Sequence, residues 1–305
     1  TAKRRFLAMS STAFRFTGAA MATTAMDATA TDIMGTAPMG MENERTGSMS
    51  GQKSGARTGE KTMIDLHAHL LPGLDDGARS WEEAAEMAQT AAESGIEMAA
   101  ATCHANLPGR VTAGLAREYR SRLEKLKDLL KEYRIPLELM EGMEIMDGPD
   151  LIRKLKREEL LTINHSRYVL VETRLDAPAW QIYRMLDHLL EAEYLPILAH
   201  PERYRCVQRI PAHIREWEDM GAVLQIDKGS VFGRFGEAVM DTAGYMLSRG
   251  LAHLAASDAH RADMRTMRLT PLRDLLASRY GSECPELLLR ENPGRVLSGE
   301  PILRF

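Results

Sequence analysis

His67 and His69 lie two apart in the stretch Met63–Gly77, which reads Met-Ile-Asp-Leu-His-Ala-His-Leu-Leu-Pro-Gly-Leu-Asp-Asp-Gly. Met63, Ile64 and Leu66 read as a short buried strand, and residues two apart on a strand point to the same face. Two imidazoles on one face, with Asp75 and Asp76 on the Pro-Gly loop just beyond, offer nitrogen and oxygen ligands to a divalent metal. A lone His-x-His pair also occurs at solvated strand edges. This pair has company, because His104, Glu144, Glu172, His200, Asp258 and His260 fall at or just after later apolar runs. So many donors exceed one closed tetrahedral zinc site and suit two or three ions sharing carboxylates.

Two arginines extend the chemistry. Arg203 follows His200 by three positions and Arg265 follows His260 by five. A guanidinium matches a pair of phosphate oxygens through two parallel hydrogen bonds, so metals plus arginines point to phosphate ester rather than amide hydrolysis. The alternative for either arginine is a surface ion pair. His165, His188, His213 and His253 lack the strand-end placement and read as surface or capping residues.

The elements that must position these groups alternate between strand and helix. Ser80-Trp-Glu-Glu83 is a capping box that opens a helix reaching about Ser94-Gly95. Ile96 to Thr102 reads as a second strand, running into Cys103-His104. Leu115 to Tyr133 has helical periodicity and is stopped by Pro136. Leu137 to Ile145 reads as a third strand, followed by a short basic helix from Asp150 to Glu159. A fourth strand, Tyr168 to Val171, leads into Glu172. Ala179 to Tyr194 is amphipathic, and Pro196 to Ala199 is a fifth strand. Ala222 to Ile226 and Ala252 to Ala256 supply a sixth and a seventh, with a helix near Glu237 to Arg249 between them. Strands that each feed a helix imply a parallel sheet, and about seven such units imply a barrel with its site at the carboxyl ends of the strands.

Composition bounds the rest. The opening segment, residues 1–62, is dominated by Thr, Ala, Met, Gly and Ser without a lasting apolar period, and is expected to be a disordered leader. Its Lys3-Arg4-Arg5 start is not followed by an unbroken apolar run, and Asp27, Asp32 and Glu42 do not suit a transit peptide. Met63 is then the expected natural start, and residues 63–305 suffice for one α/β domain of barrel size. A net charge of −4 gives no electrostatic case for nucleic acid, and no run is long enough for a membrane span. Cys103, Cys206 and Cys284 are odd in number and unpatterned, which suits a reducing cytoplasm. Cys103 does not make the Cys-x5-Arg spacing of cysteine-dependent tyrosine phosphatases, since Arg110 lies one position too far, and it reads as a small buried loop residue.

His67-x-His69, His104, Gly142-x-Glu144-Ile145, Ala199-His200-Pro201-Glu202-Arg203-Tyr204 and Ser257-Asp258-Ala259-His260 together resemble the PHP (polymerase and histidinol phosphatase) superfamily. Within it, Leu74-Asp75-Asp76-Gly77 and the segment Gln225 through Gly229-Ser230, Gly233 and Phe235-Gly236 are similar to metal-dependent bacterial protein-tyrosine phosphatases of capsule and exopolysaccharide operons. The resemblance runs from Met63 to about Leu297. It departs at Thr102-Cys103-His104-Ala105, where the family commonly has Thr-Pro-His-His; the ligand histidine is kept as His104, and the altered loop bears on substrate choice.

That resemblance implies a distorted TIM-like (β/α)7 barrel and a protein-tyrosine phosphatase. It implies Mn2+, in two or three copies, while ligand chemistry alone also admits Zn2+, Fe2+ or Co2+. The expected ligands are His67, His69, Asp76, His104, Glu144, His200, Asp258 and His260. Arg203 and Arg265 would hold the phosphoryl group, and Glu172 would handle a proton for the leaving phenolate or serve as a further ligand. The expected partner is a phosphotyrosyl protein, an autophosphorylating bacterial tyrosine kinase, and a homo-oligomer is compatible. Two other readings stay open: a phosphoesterase for a small phosphomonoester such as histidinol phosphate, and a non-catalytic module that binds a kinase tail.

Overall fold

The computed structural model describes residues 62–110 and 112–304. The expected leader therefore lies outside the described residues, apart from Thr62. Nine strands follow in order: β1 (Met63–Ala68), β2 (Ile96–Ala101), β3 (His104–Ala105), β4 (Glu138–Glu141), β5 (Glu144–Met146), β6 (Tyr168–Glu172), β7 (Leu195–Ala199), β8 (Val223–Asp227) and β9 (Leu254–Ala256). They form a three-stranded sheet, β1-β2-β4, and a six-stranded sheet, β3-β5-β6-β7-β8-β9, with every pairing parallel.

The two sheets are continuations of one another. β3 follows β2 after Thr102-Cys103, and β5 follows β4 after Gly142-Met143, so both break at the same level. At the far side an isolated parallel bridge joins Ala68 to Ala259. Around it Asp258 N–H donates to the His67 carbonyl (3.0 Å) and His69 N–H to the Ala259 carbonyl (2.8 Å). The strand order thereby closes into the expected barrel, and apart from those two short breaks the connections between strands contain helices. Ile64, Leu66, Ala100, Leu170, Ile197, Val223 and Leu254 pack together as its filled interior. The opposite strand faces pack under the surrounding helices.

Where a third strand was expected without interruption from Leu137 to Ile145, the chain has two. The reason is local. A Cβ at Gly142 would fall 2.6 Å from Ile163 Cδ1, so only glycine fits as the strand bends past that side chain. The ladder groups freed by the break are bonded by a side chain from the helix Leu115–Glu132: Tyr119 hydroxyl donates to the Ala101 carbonyl (2.7 Å) and accepts from Gly142 N–H (3.0 Å). Beyond the break the strands pair again, with His104 opposite Glu144 in register. Tyr119 is fully buried. Tyr119→Phe is therefore expected to lower stability by about 1–3 kcal/mol by leaving a buried donor and acceptor unpaired, read as a lower urea midpoint at unchanged m-value.

The expected helices are present as Trp81–Glu93, Leu115–Glu132, Leu151–Lys156, Ala179–Glu191 and Glu237–Ser248. Ser80 Oγ caps the first by accepting from Glu83 N–H (3.2 Å). The Glu83 carboxylate reaches back to Arg79 N–H (2.8 Å), one residue before the cap, rather than to Ser80. Helices Ala212–Met220 and Thr270–Tyr280 and the C-terminal helical run ending at Ser298 had no sequence expectation. Val296 of that run packs with the barrel interior, and Tyr168 hydroxyl at the start of β6 donates to the Glu300 carbonyl (2.8 Å). The run covers the amino ends of the strands and leaves the carboxyl ends for the site.

Candidate metal centre

The expected site residues come together at those carboxyl ends. Strict alternation from Ile64 and Leu66 would turn His67 away from the interior. The pairing of β1 with β2 shifts register between Asp65 and Ala68, however, and His67 and His69 both reach the central cluster. His104 and Glu144 begin β3 and β5, and Glu172 ends β6. His200 and Asp258 follow β7 and β9 with φ of 38° and 48°, and Arg265 has φ of 52°. Such conformations cost non-glycine residues about 1–3 kcal/mol each and persist where the surroundings enforce them.

Glu144 is the hub. One carboxylate oxygen lies 3.0 Å from His200 Nε2; the other lies 3.2, 3.4 and 2.9 Å from His67 Nε2, His69 Nε2 and His104 Nδ1. Glu172 Oε1 is 2.9 Å from the same His104 nitrogen. Asp258 Oδ1 lies 3.5–3.6 Å from His67, His69 and His260. Asp76, at the exposed rim, is 3.6 Å from both His104 and His260. Three overlapping donor groups result: His69, Asp76, His104 and His260; His67, His69 and Asp258; and His104, Glu144 and Glu172.

These atoms converge without satisfying one another. Glu144 Oε2, Glu172 Oε1 and His104 Nδ1 are buried and have no hydrogen-bond partner despite their proximity, because none of the contacts has hydrogen-bond geometry. A buried unpaired acceptor costs free energy. Lone pairs from several carboxylates and imidazoles aimed at shared points are what cations require, so the donor set fits divalent ions of N/O preference.

The electrostatics point the same way. Burial alone would lower the pKa of His69, but its hydrogen bond to Asp75 and the nearby carboxylates of Asp258 and Glu144 raise it well above the usual histidine value. His104 is likewise raised, to about 10, because contacts with Glu144 and Glu172 outweigh its burial. His260 goes the other way, to about 3, through burial and the positive charge on His69. Glu144 and Asp258 are held well below the carboxylate range, the surrounding histidines overcoming desolvation. In the absence of ions, protons on the histidines offset the carboxylate charge. Ions would replace them.

Neighbours orient the donors. His67 Nδ1 lies 2.9 Å from Gln225 Oε1, and Gln225 Nε2 donates to Asp227 Oδ1 (2.8 Å). His69 Nδ1 lies 2.7 Å from Asp75 Oδ2, which also accepts from His104 N–H (2.8 Å). Asp75, read from sequence as a potential ligand beside Asp76, thus braces one imidazole and turns its Nε2 into the cluster. Both arginines converge on Asp258: Arg203 Nη1 lies 3.2 Å from Oδ2, and Arg265 Nη2 bonds the same oxygen. Arg203 is also 3.3 Å from Asp227, a partner that carried no sequence signal beyond its strand-end position.

The remaining candidates stay outside. Cys103 is buried, its thiol pushed up by desolvation. His165 and His188 are exposed, and His213 is half-buried beside Tyr183 and Trp217. His253 corrects the expectation of a surface or capping residue. It is buried, with Nδ1 accepting from Leu224 N–H (3.0 Å) and Nε2 3.3 Å from Glu218, because β9 enters the barrel wall there. Among the described residues no helix is long and apolar enough to cross a membrane.

Comparison with known proteins agrees with this geometry. Residues 63–298 match the family described as capsular polysaccharide synthesis, CpsB/CapC. The chain is 32% identical over 242 residues to the tyrosine-protein phosphatase YwqE of Bacillus subtilis, covering 79% of this chain and 94% of that protein. It is 29% identical over 245 residues to the tyrosine-protein phosphatase CpsB of Streptococcus pneumoniae, covering 79% of this chain and all (100%) of that one. Its fold superposes with a TM-score of 0.75 and 31% identity on a structure from a study of YwqE and CpsB, described as unique metal-dependent tyrosine phosphatases, over 80% of this chain and 97% of the other.

Proposed function

The chain belongs to the CpsB/CapC family of capsular polysaccharide synthesis, and from that premise we propose that it is a metal-dependent protein-tyrosine phosphatase. Its substrate is a phosphotyrosyl protein, specifically an autophosphorylating bacterial tyrosine kinase that regulates capsule or exopolysaccharide synthesis in the cytoplasm. The catalytic domain is residues 63–305. The observation that carries the reading is Asp258. One carboxylate oxygen faces His67, His69 and His260, and the other is gripped by Arg203 and Arg265. A phosphoryl group held by those arginines would lie directly against the donor set.

His67, His69, Asp76, His104, Glu144, His200, Asp258 and His260 would hold two or three divalent ions, with Mn2+ as the ion. Bound divalent ions supply Lewis acidity and make water acidic enough to react near neutral pH. Arg203 and Arg265 orient the phosphoryl oxygens and stabilise the charge that grows on them in the transition state. We assign Glu172 to the donor set rather than to proton transfer, because its Oε1 is buried without a hydrogen-bond partner, 2.9 Å from His104 Nδ1 and grouped with Glu144.

Asp75 supports the centre at one remove. Asp75→Ala frees the His69 ring and is expected to weaken divalent-ion affinity about 10–100-fold, read by competition with a chelator, while the fold persists.

Steady-state hydrolysis by the Mn2+-loaded full chain tests the function. A phosphotyrosyl peptide should be turned over with higher kcat/KM than histidinol phosphate. The reverse order would make the protein a small-molecule phosphomonoesterase, and turnover of neither would leave a kinase-tail binding module.

A further inference from the structure

A cavity of about 300 Å3 opens on the arginine side of Asp258. Phe232, Phe235 and Met264 form its apolar walls, and Arg265 and Asp258 close its inner end. Phe232 and Met264 are 48% and 52% exposed. One exposed apolar side chain needs no explanation. Here two of them face a single cavity that ends on Asp258 and the Arg265 guanidinium bonded to it.

Phe235 has a different task. Its ring carries the Arg203 guanidinium, with Cζ 4.3 Å from the ring centroid, and Arg265 Cζ lies 5.8 Å from it. Cation–π contact of this kind restrains a flexible guanidinium. The ring has room because position 229 is glycine, where a Cβ would fall 2.8 Å from Phe235 Cε2.

We propose that this cavity is the aryl subsite: Phe232 and Met264 flank the phenyl ring of a phosphotyrosyl side chain, and Phe235 positions the arginines that hold its phosphoryl group. The inference rests on the phosphatase reading above and adds what selects an aryl over an alkyl phosphomonoester. Size permits it, since an enclosed apolar cavity of about 150 Å3 already accepts benzene. The wall chemistry suits a ring, because aromatic edges and thioether sulfur both interact favourably with aromatic groups. A phosphoseryl side chain brings no ring to these walls.

The test uses the Mn2+-loaded full chain and its Phe232→Ala, Met264→Ala and Phe232→Tyr variants. KM and kcat are measured on a phosphotyrosyl peptide, with inorganic phosphate as a competitive inhibitor. Loss of either apolar wall should raise KM about tenfold while the inhibition constant for phosphate and the metal content stay unchanged. Phe232→Tyr should restore KM by restoring a ring. Both residues are half exposed, so these changes spare the core. An unchanged KM in the Ala variants of an enzyme that does hydrolyse the peptide overturns the aryl subsite alone. A parallel rise in KM and in the phosphate constant also overturns it, since the side chains would then be shaping the arginine grip. A wild type that ignores the phosphotyrosyl peptide yet hydrolyses histidinol phosphate overturns the phosphatase reading beneath.

Discussion

Glu144→Gln is expected to strip the protein of bound divalent ions and abolish phosphatase activity while leaving the barrel folded. The glutamine keeps the shape of the side chain but replaces one carboxylate oxygen with an amide nitrogen that cannot ligate a cation. Glu144 touches His67, His69, His104 and His200 within 3.4 Å. No other carboxylate among the described site residues reaches so many imidazoles, so its loss should disturb the whole donor set rather than one ligand. The fold should survive because the barrel is held by strand pairing and by an apolar interior formed without Glu144. Elemental analysis of the purified variant is the direct measurement, with circular dichroism as the check on folding. Full metal occupancy would show that the donor set does not depend on Glu144. The same account predicts that EDTA inactivates the wild type, that Mn2+ restores it, and that thiol alkylation has little effect, Cys103 being buried with its thiol pushed up by desolvation.

Arg203→Ala and Arg265→Ala should each lower kcat/KM for a phosphotyrosyl peptide on the order of a hundredfold, about 3 kcal/mol of transition-state stabilisation. Metal content should not change. Each guanidinium bonds Asp258 Oδ2 and lies by the Phe235 ring, so each is already aimed at the place where a phosphoryl oxygen would sit. Charge-assisted hydrogen bonds strengthen as those oxygens gain charge, which is why the loss should appear in kcat as well as KM. Lysine keeps the charge and loses the planar fork, so Arg203→Lys and Arg265→Lys separate geometry from charge. Arg203→Lys should recover less, since it also gives up the guanidinium contact with the Phe235 ring at 4.3 Å. Near-normal kcat/KM in both Ala variants would remove the phosphate grip from the proposal and leave a metal centre without an assigned substrate.

Much of this site was legible in the sequence. The histidines and carboxylates of catalytic interest stand at the ends of β-type apolar runs, and in a parallel barrel all such ends meet on one face. The two-residue spacing of His67 and His69 also pointed to a shared face. Yet the simple alternation behind that expectation would have turned both away from the interior; a register shift between Asp65 and Ala68 brings them in. The break at Gly142-Met143 was not legible, because it depends on what the glycine must pass, here Ile163 Cδ1. Asp75 and Gln225 were read as a potential ligand and as part of a family pattern. Their service to His69 and His67 shows only as distance.

The chain's own residues determined which atoms are available: imidazole nitrogens, carboxylate oxygens and guanidinium forks, each carried to the mouth of the barrel by local strand and turn preferences. Those preferences act over a few residues, so sequence suffices for them. The tertiary structure decided which atoms share a point. His67 meets Gln225 across 158 positions and Ser257 bonds Asp65 across 192, and such contacts exist only once the ring of strands has closed. Closure set Glu144 among four imidazoles, gave Asp258 one side toward the histidines and one toward the arginines, and left Phe232 and Met264 facing the cavity beside them. Packing at that range depends on every strand between, and no local pattern encodes it.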